Sequence, residues 1–140
     1  MAEKKTFNLK VVTPGGVKFS DGVQMVIMRA ITGDMGILPG HEPCSAALDQ
    51  GVLRITSADG RQRRMGVFGG LAKMEGETLA VLTGLAEWPS EVEPELAQAE
   101  RDECLERLRE VRDPAHTQRD KELLKQALVR IELSEYKDQA

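Results

Sequence analysis

The sequence predicts a β-sandwich N-terminal domain followed by a C-terminal antiparallel two-helix hairpin, an all-β half joined to an α half. Three observations carry this. All thirteen glycines lie at or before Gly84. Up to that point short β-branched or apolar runs alternate with turn signals, the pattern of strands. Beyond it apolar residues recur at helical spacing. The shift places a β domain over residues 1–86 and a hairpin over 87–140.

The strand-like runs are residues 7–13, 23–31, 52–56, 64–68, 70–74 and 78–83. Breaks fall at Pro14-Gly15-Gly16, Asp21-Gly22, Asp59-Gly60 and Glu75-Gly76-Glu77. Asp59-Gly60 between two runs is a hairpin signal, because glycine accepts the positive φ such a turn needs. Many short strands at this spacing fit a sandwich or flattened barrel. Gly69-Gly70 has neither spacing of a phosphate-binding loop and reads as a bulge or tight connection. Arg61, Arg63 and Arg64 read as solvated charge on a hairpin.

Pro94 suits a first helical turn, and Glu91, Glu93 and Glu95 complement its positive end. Ala97, Cys104, Leu105, Leu108 and Val111 then form one stripe. Asp113-Pro114 is expected to stop that helix, and Thr117 with Asp120 to cap the next. Leu124, Ala127, Leu128 and Ile131 give the second helix its own stripe. Both stripes are thin, so the pair gains stability mainly by docking on something else. If two surfaces compete for it within a few kcal/mol, it becomes bistable. Trp88 sits where it would plug the hinge.

The first half carries ten Lys/Arg against eight Asp/Glu, a net of +2. The second carries nine against fifteen, a net of −6. An acidic tail half argues against nucleic acid, which wants a basic stripe, and against a helix lying on anionic lipid. No apolar run reaches the roughly 18 residues of a membrane helix, and residues 1–10 lack a signal-peptide core. Cys44 and Cys104 lie far apart and read as buried thiols in a reducing interior. A soluble, cytoplasmic chain with a protein partner is expected.

The segment Gly33-Asp34-Met35-Gly36-Ile37-Leu38-Pro39-Gly40-His41-Glu42-Pro43 describes a shaped loop or edge. Asp34 and the His41-Glu42 pair are the candidates for acid–base chemistry. A general base needs a partner that orients it and a cleft to work in. With His41 and His116 the only histidines, no triad or metal set is visible. The segment reads as an interaction surface, and no catalytic, cofactor or metal residue is assigned.

That segment resembles the hallmark of the epsilon subunit of F-type ATP synthases. So do Val11-Val12-Thr13-Pro14 with Phe19-Ser20, Gly51-Val52-Leu53-Arg54-Ile55, Gly69-Gly70, and Ala127-Leu128-Val129-Arg130-Ile131. The resemblance runs in order over residues 6–137. It implies a ten-stranded sandwich with a two-helix hairpin. It also implies a non-catalytic rotor subunit of the central stalk of a proton-translocating synthase, coupling the gamma subunit to the c ring. By motif position, Gly33 and Asp34 would face the c ring, and Thr13, His41 and Ala46 would lie toward gamma. The hairpin would fold on the sandwich or extend conditionally into the alpha/beta catalytic hexamer and inhibit ATP hydrolysis. Arg119, Lys121, Lys125 and Arg130 would then meet acidic surface. The implied location is the cytoplasmic face of a bacterial cell membrane, peripheral, with membrane association only through the complex.

Some family members bind ATP in the folded hairpin through Ile or Leu, Asp, two residues, Arg, Ala. Here the stretch is Val92-Glu93-Pro94-Glu95-Leu96-Ala97. Leu96 replaces the arginine, and Gln126 stands where a second basic residue would help. Without those cations a triphosphate loses charge-assisted contacts, so weak or no ATP binding is expected. The rivals are a free-standing nucleotide-sensing module, an adaptor of the same shape, and a β-sandwich enzyme using His41 and Glu42. Proton or sodium coupling is not written in this chain, since that chemistry resides in other subunits.

Overall fold

A computed structural model describes residues 5–137. Its strands are β1 (Phe7–Thr13), β2 (Gly16–Ala30), β3 (Gly33–Ile37), β4 (Cys44–Ser57), β5 (Gln62–Glu75), β6 (Thr78–Leu82) and β7 (Ala86–Glu87). A 3₁₀ turn (Pro89–Glu91) leads to α1 (Pro94–Leu108) and α2 (Pro114–Ser134). The strands run in the order β1-β6-β5-β4-β2-β3, and β1 also pairs with β2. That last pairing closes the sheet on itself as a flattened barrel, which leaves few open edges.

The described residues form seven strands rather than ten because β2, β4 and β5, of 14 or 15 residues, each serve both layers. Each carries a slip in side-chain phase. In β5 the buried positions pass from Met65 and Val67 to Ala72 and Met74, odd to even, across Gly69-Gly70. In β4 they pass from Leu48 to Leu53 and Ile55 across Asp49-Gln50. In β2 they pass from Val23 to Val26 and Met28. A strand alternates faces with period two, so one extra residue keeps both halves facing one core. That core includes Leu9, Val11, Met28, Ile37, Ile55 and Leu79.

The Asp59-Gly60 hairpin forms, with Gly60 at φ 86°. The expected break at Asp21-Gly22 does not, because both residues lie in the β1–β2 ladder opposite Leu9 and Asn8. Residues 33–43 split into the edge strand β3 and a turn in which His41 N donates to Leu38 O at 3.1 Å. The helix boundaries also differ. α1 ends at Leu108, so Val111 lies outside it and is fully exposed. Asp113 caps α2, its carboxylate accepting from His116 N at 2.9 Å, and Pro114 takes the first helical position, where its missing N–H costs nothing. Thr117 and Asp120 therefore form no capping box, and Asp120 is buried instead.

α2 is buried on two faces. Asp120 and Ala127 point to α1, where Ala97 and Cys104 are buried. Leu133 packs over Gly66, where a Cβ would approach its Cδ2 to 3.0 Å. Lys125 and Val129 share Leu133's side, four residues apart in turn. Leu105 and Leu128, expected in the stripes, are instead 43% and 47% exposed.

Candidate functional site

Gly33 opens β3 with φ 126°. Asp34 stands directly opposite Arg29 of β2. Arg29 Nε donates to Asp34 Oδ1 at 2.6 Å, and Arg54 Nη2 lies 3.7 Å from Oδ2. The bond to Asp34 raises the Arg29 guanidinium above its ordinary value. Gly51 makes room for this arginine, because a Cβ there would come within 2.7 Å of Arg29 Cβ. Arg64 joins these three residues around a polar hollow of about 190 Å³, with Glu132 from α2 and Tyr136 just beyond it. The arrangement presets a half-exposed carboxylate, and two of its holders, Arg29 and Arg54, carried no sequence signal of that role.

The residues expected toward gamma come from the β1–β2 turn, the turn after β3, and β4. Thr13 closes the β1–β2 turn, its Oγ1 donating to Gly16 O at 3.2 Å. His41 Nδ1 bonds the backbone carbonyl of Glu42 at 2.7 Å. The partners of the His41 ring among the described contacts are this carbonyl and the Cys44 thiol, at 3.9 Å, with no carboxylate among them. Ala46 packs partly against the core. Next in sequence to Thr13 and Ala46, on the other face of their strands, runs a row that sequence spacing did not reveal. Val12 pairs with Leu82, Leu82 with Leu71, and Leu71 with Ala47, across β1, β6, β5 and β4. Paired residues project from one face, so these side chains form an apolar strip about 14 Å long at ordinary strand spacing. Leu82 is 50% exposed and Leu71 44%. Ile31, also exposed, extends it, with its N–H bonded to Ala47 O.

The four basic residues of α2 divide into two pairs. Arg119 and Lys121 are exposed. Lys125 and Arg130 hold the hairpin on the sandwich. Lys125 pairs with Asp49 of β4, and that bond pulls the Asp49 carboxyl below its ordinary value. Arg130 donates from Nε and Nη2 to the Glu87 carboxylate at 2.9 and 3.0 Å, reaches Glu100 of α1 at 3.3 Å, and lies over the Phe68 ring. Gln50 Nε2 donates to Glu122 O at 3.0 Å. The arginines read as solvated are partly recruited as well. Arg64 stacks on Tyr136 at 4.0 Å, and Arg63 covers Trp88 at 4.2 Å. Trp88 itself meets Phe19 edge-on, which anchors the junction.

Two kinds of bond therefore hold the helices. The Lys125–Asp49 pair is open to water, its side chains 45% and 32% exposed, and is worth about 0–1 kcal/mol. Asp120, by contrast, has a side chain only 7% exposed, and it holds both Arg107 Nε at 2.9 Å and Arg112 Nη1 at 3.0 Å. Stripping a buried carboxylate of its cations costs several times what an exposed pair is worth.

Leu96 is exposed beside a hollow of about 320 Å³ that Glu87, Glu91, Glu93, Glu100 and Arg130 also line. Its one cation is already bound to two of the carboxylates. Gln126 only touches Arg130, at 3.4 Å. A triphosphate would enter a negative field there. Among the described residues no three or more His, Cys, Asp or Glu side chains are grouped to hold a metal ion, and no helix is long and apolar enough to cross a membrane.

Residues 6–89 match the model of the ATP synthase delta/epsilon chain β-sandwich domain. The chain belongs to the ATP synthase delta/epsilon family. It is 36% identical over 135 residues to the ATP synthase epsilon chain of Syntrophomonas wolfei, covering 96% of this chain and 98% of the relative. The epsilon chain of Caldicellulosiruptor bescii is 33% identical, covering 92% and 93%. A sodium-ion-specific epsilon chain from Acetobacterium woodii is 35% identical over 77% of this chain and 80% of its own. In fold, this delta/epsilon chain is similar to a chain of the Euglena gracilis mitochondrial ATP synthase, with a TM-score of 0.81 at 20% identity over 91% of this chain and 79% of that one. The expected class, a β-sandwich followed by two helices, is the family's own.

Proposed function

We propose that this delta/epsilon chain is a non-catalytic central-stalk subunit of an F-type ATP synthase, with residues 1–86 gripping the rotor and residues 87–140 regulating hydrolysis. The single observation that carries the first part is the apolar strip Val12–Leu82–Leu71–Ala47 on a closed sheet. A water-facing apolar strip on an otherwise charged surface calls for a protein partner, and gamma is that partner in this reading. Asp34, pinned by Arg29, faces the polar loops of the c ring. Arg119, Lys121, Lys125 and Arg130 meet acidic surface on the alpha/beta hexamer when the hairpin leaves the sandwich. No ATP site is assigned, given the acidic hollow beside Leu96. The chain works at the cytoplasmic face of a bacterial membrane, as a peripheral part of the complex.

The names of the relatives support this reading, as does a structural neighbour at TM-score 0.66 from the central stalk and c ring of the Tetrahymena thermophila enzyme. Capture of gamma tests it. A Leu71→Lys/Leu82→Lys chain exposes both substitutions to water, so it should fold normally yet retain gamma at least about tenfold less well, the scale of one or two lost apolar contacts. Undiminished capture by that variant would remove the strip from the interface.

A further inference from the structure

We infer that the apolar strip is bordered by a cationic seat, and that the partner covering it is a helix that sets one carboxylate over Ala80, between Lys10 and Lys73. The inference rests on the assignment of the strip to gamma proposed above and adds what that partner must carry. A strand returns to the same face every second residue. Two residues along from Val12, Leu82, Leu71 and Ala47 there is therefore a second outward row. Its register runs Ser20–Lys10–Ala80–Lys73–Ser45 across β2, β1, β6, β5 and β4. The two lysines and two serines are exposed, and Ala80 is half-buried. Lys10 and Lys73 flank Ala80, one strand to each side, which sets their Cα atoms about 10 Å apart at ordinary strand spacing. Their flexible four-carbon stems let both ammoniums reach one carboxylate above the Ala80 methyl.

Two solvated lysines alone would mean little. What singles these out is their place beside the strip and the charge left unmatched there. Lys73 Nζ lies 3.4 Å from Glu75 in a pair open to water, 59% and 75% exposed, which an incoming carboxylate can replace. Among the described residues Lys10 makes no ion pair. The spacing fits a helix. The two rows lie about 6.7 Å apart along the strands, close to the roughly 6 Å rise of four helical residues. A partner helix running along the strands sets an apolar side chain on Leu71 and Leu82 and, one turn on, an Asp or Glu over Ala80. The small side chains of Ser20, Ala80 and Ser45 keep that row low, so the helix lies close. An anionic lipid surface fits less well. It calls for a cluster of about four to eight cations, whereas this row has two, on a chain of net charge −4.

Binding kinetics of the full chain on an immobilised assembly of alpha, beta and gamma test this. Charges at the border of an interface act on the association rate and its salt dependence, whereas apolar contacts act mainly on dissociation. Lys10→Gln/Lys73→Gln should slow association at least about fivefold at low salt and leave dissociation within about twofold. The deficit should close at high salt, where screening removes the attraction in the unaltered chain too. Both side chains are exposed, so the variant should unfold at the same temperature as the unaltered chain. Unchanged association by this variant, with Leu71→Lys/Leu82→Lys released faster, would overturn the cationic seat and leave the assignment of the strip standing. Unchanged binding by both variants would remove the strip from the interface as well. Faster association after Lys10→Gln/Lys73→Gln would mean a basic partner and overturn the inference. So would capture of the chain by phosphatidylglycerol–phosphatidylcholine vesicles that the same variant loses, since the row would then belong to lipid.

Discussion

Gly70 shows how much of this molecule turns on single atoms. Its φ is 126°, and a Cβ there would lie 2.1 Å from Leu82 O. Both the backbone angle and the space exclude a side chain, so Gly70→Ala should cost about 2–4 kcal/mol in urea unfolding, from strain plus forced displacement. A loss under about 0.5 kcal/mol would mean that the phase slip in β5 tolerates rearrangement. Asp49, in the matching slip of β4, carries a pH dependence. Its carboxyl lies below its ordinary value because Lys125 bonds it. A depressed folded value stabilises docking above the ordinary carboxylate pKa of about 3.9, and that stabilisation is lost as pH falls through the folded value. NMR titration should place the Asp49 inflection below about 3.9, and Lys125→Ala should move it back up toward that figure. An inflection unmoved by the substitution would detach Lys125 from the docking contact. At this scale the sequence was least legible. Arg29, Arg54 and Asp120 carry ordinary surface residue types, and only the cross-strand register and the helix pairing give them their partners.

The elements were legible where their signals are local. Asp59-Gly60, Pro94 and the apolar runs of β1 and β6 depend on neighbours in sequence, and the structure places them as expected. The long strands were not, since a phase slip looks in sequence like a break between two strands. Residues 64–68 and 70–74 are one strand for that reason. The cap of α2 was missed because Asp-Pro reads equally as the stop of one helix and the start of the next. The acidic hollow beside Leu96 follows from the glutamates around it, Glu87, Glu91, Glu93 and Glu100. Calorimetry on the full chain should therefore detect no ATP binding at micromolar concentrations. A micromolar Kd would show that Arg130 exchanges its carboxylates for phosphate.

At the scale of the whole molecule the contrast is between a closed sheet and a hairpin held on its outer face. Closure through the β1–β2 pairing leaves the sandwich without free edges along its main ring of strands, so it behaves as one stiff body on which a partner can pull. The two-part layout was legible because glycine stops abruptly at Gly84. The apolar strip was not, because Val12, Ala47, Leu71 and Leu82 come from four strands and meet only after the sheet closes. With the sandwich gripping the rotor and the hairpin governing hydrolysis, the two functions should separate at the junction. The most direct measurement is ATP hydrolysis by the assembled synthase carrying this chain truncated after Trp88. Hydrolysis should rise several-fold while ATP-driven ion pumping persists, and hydrolysis equal to that of the enzyme with the whole chain would contradict the account.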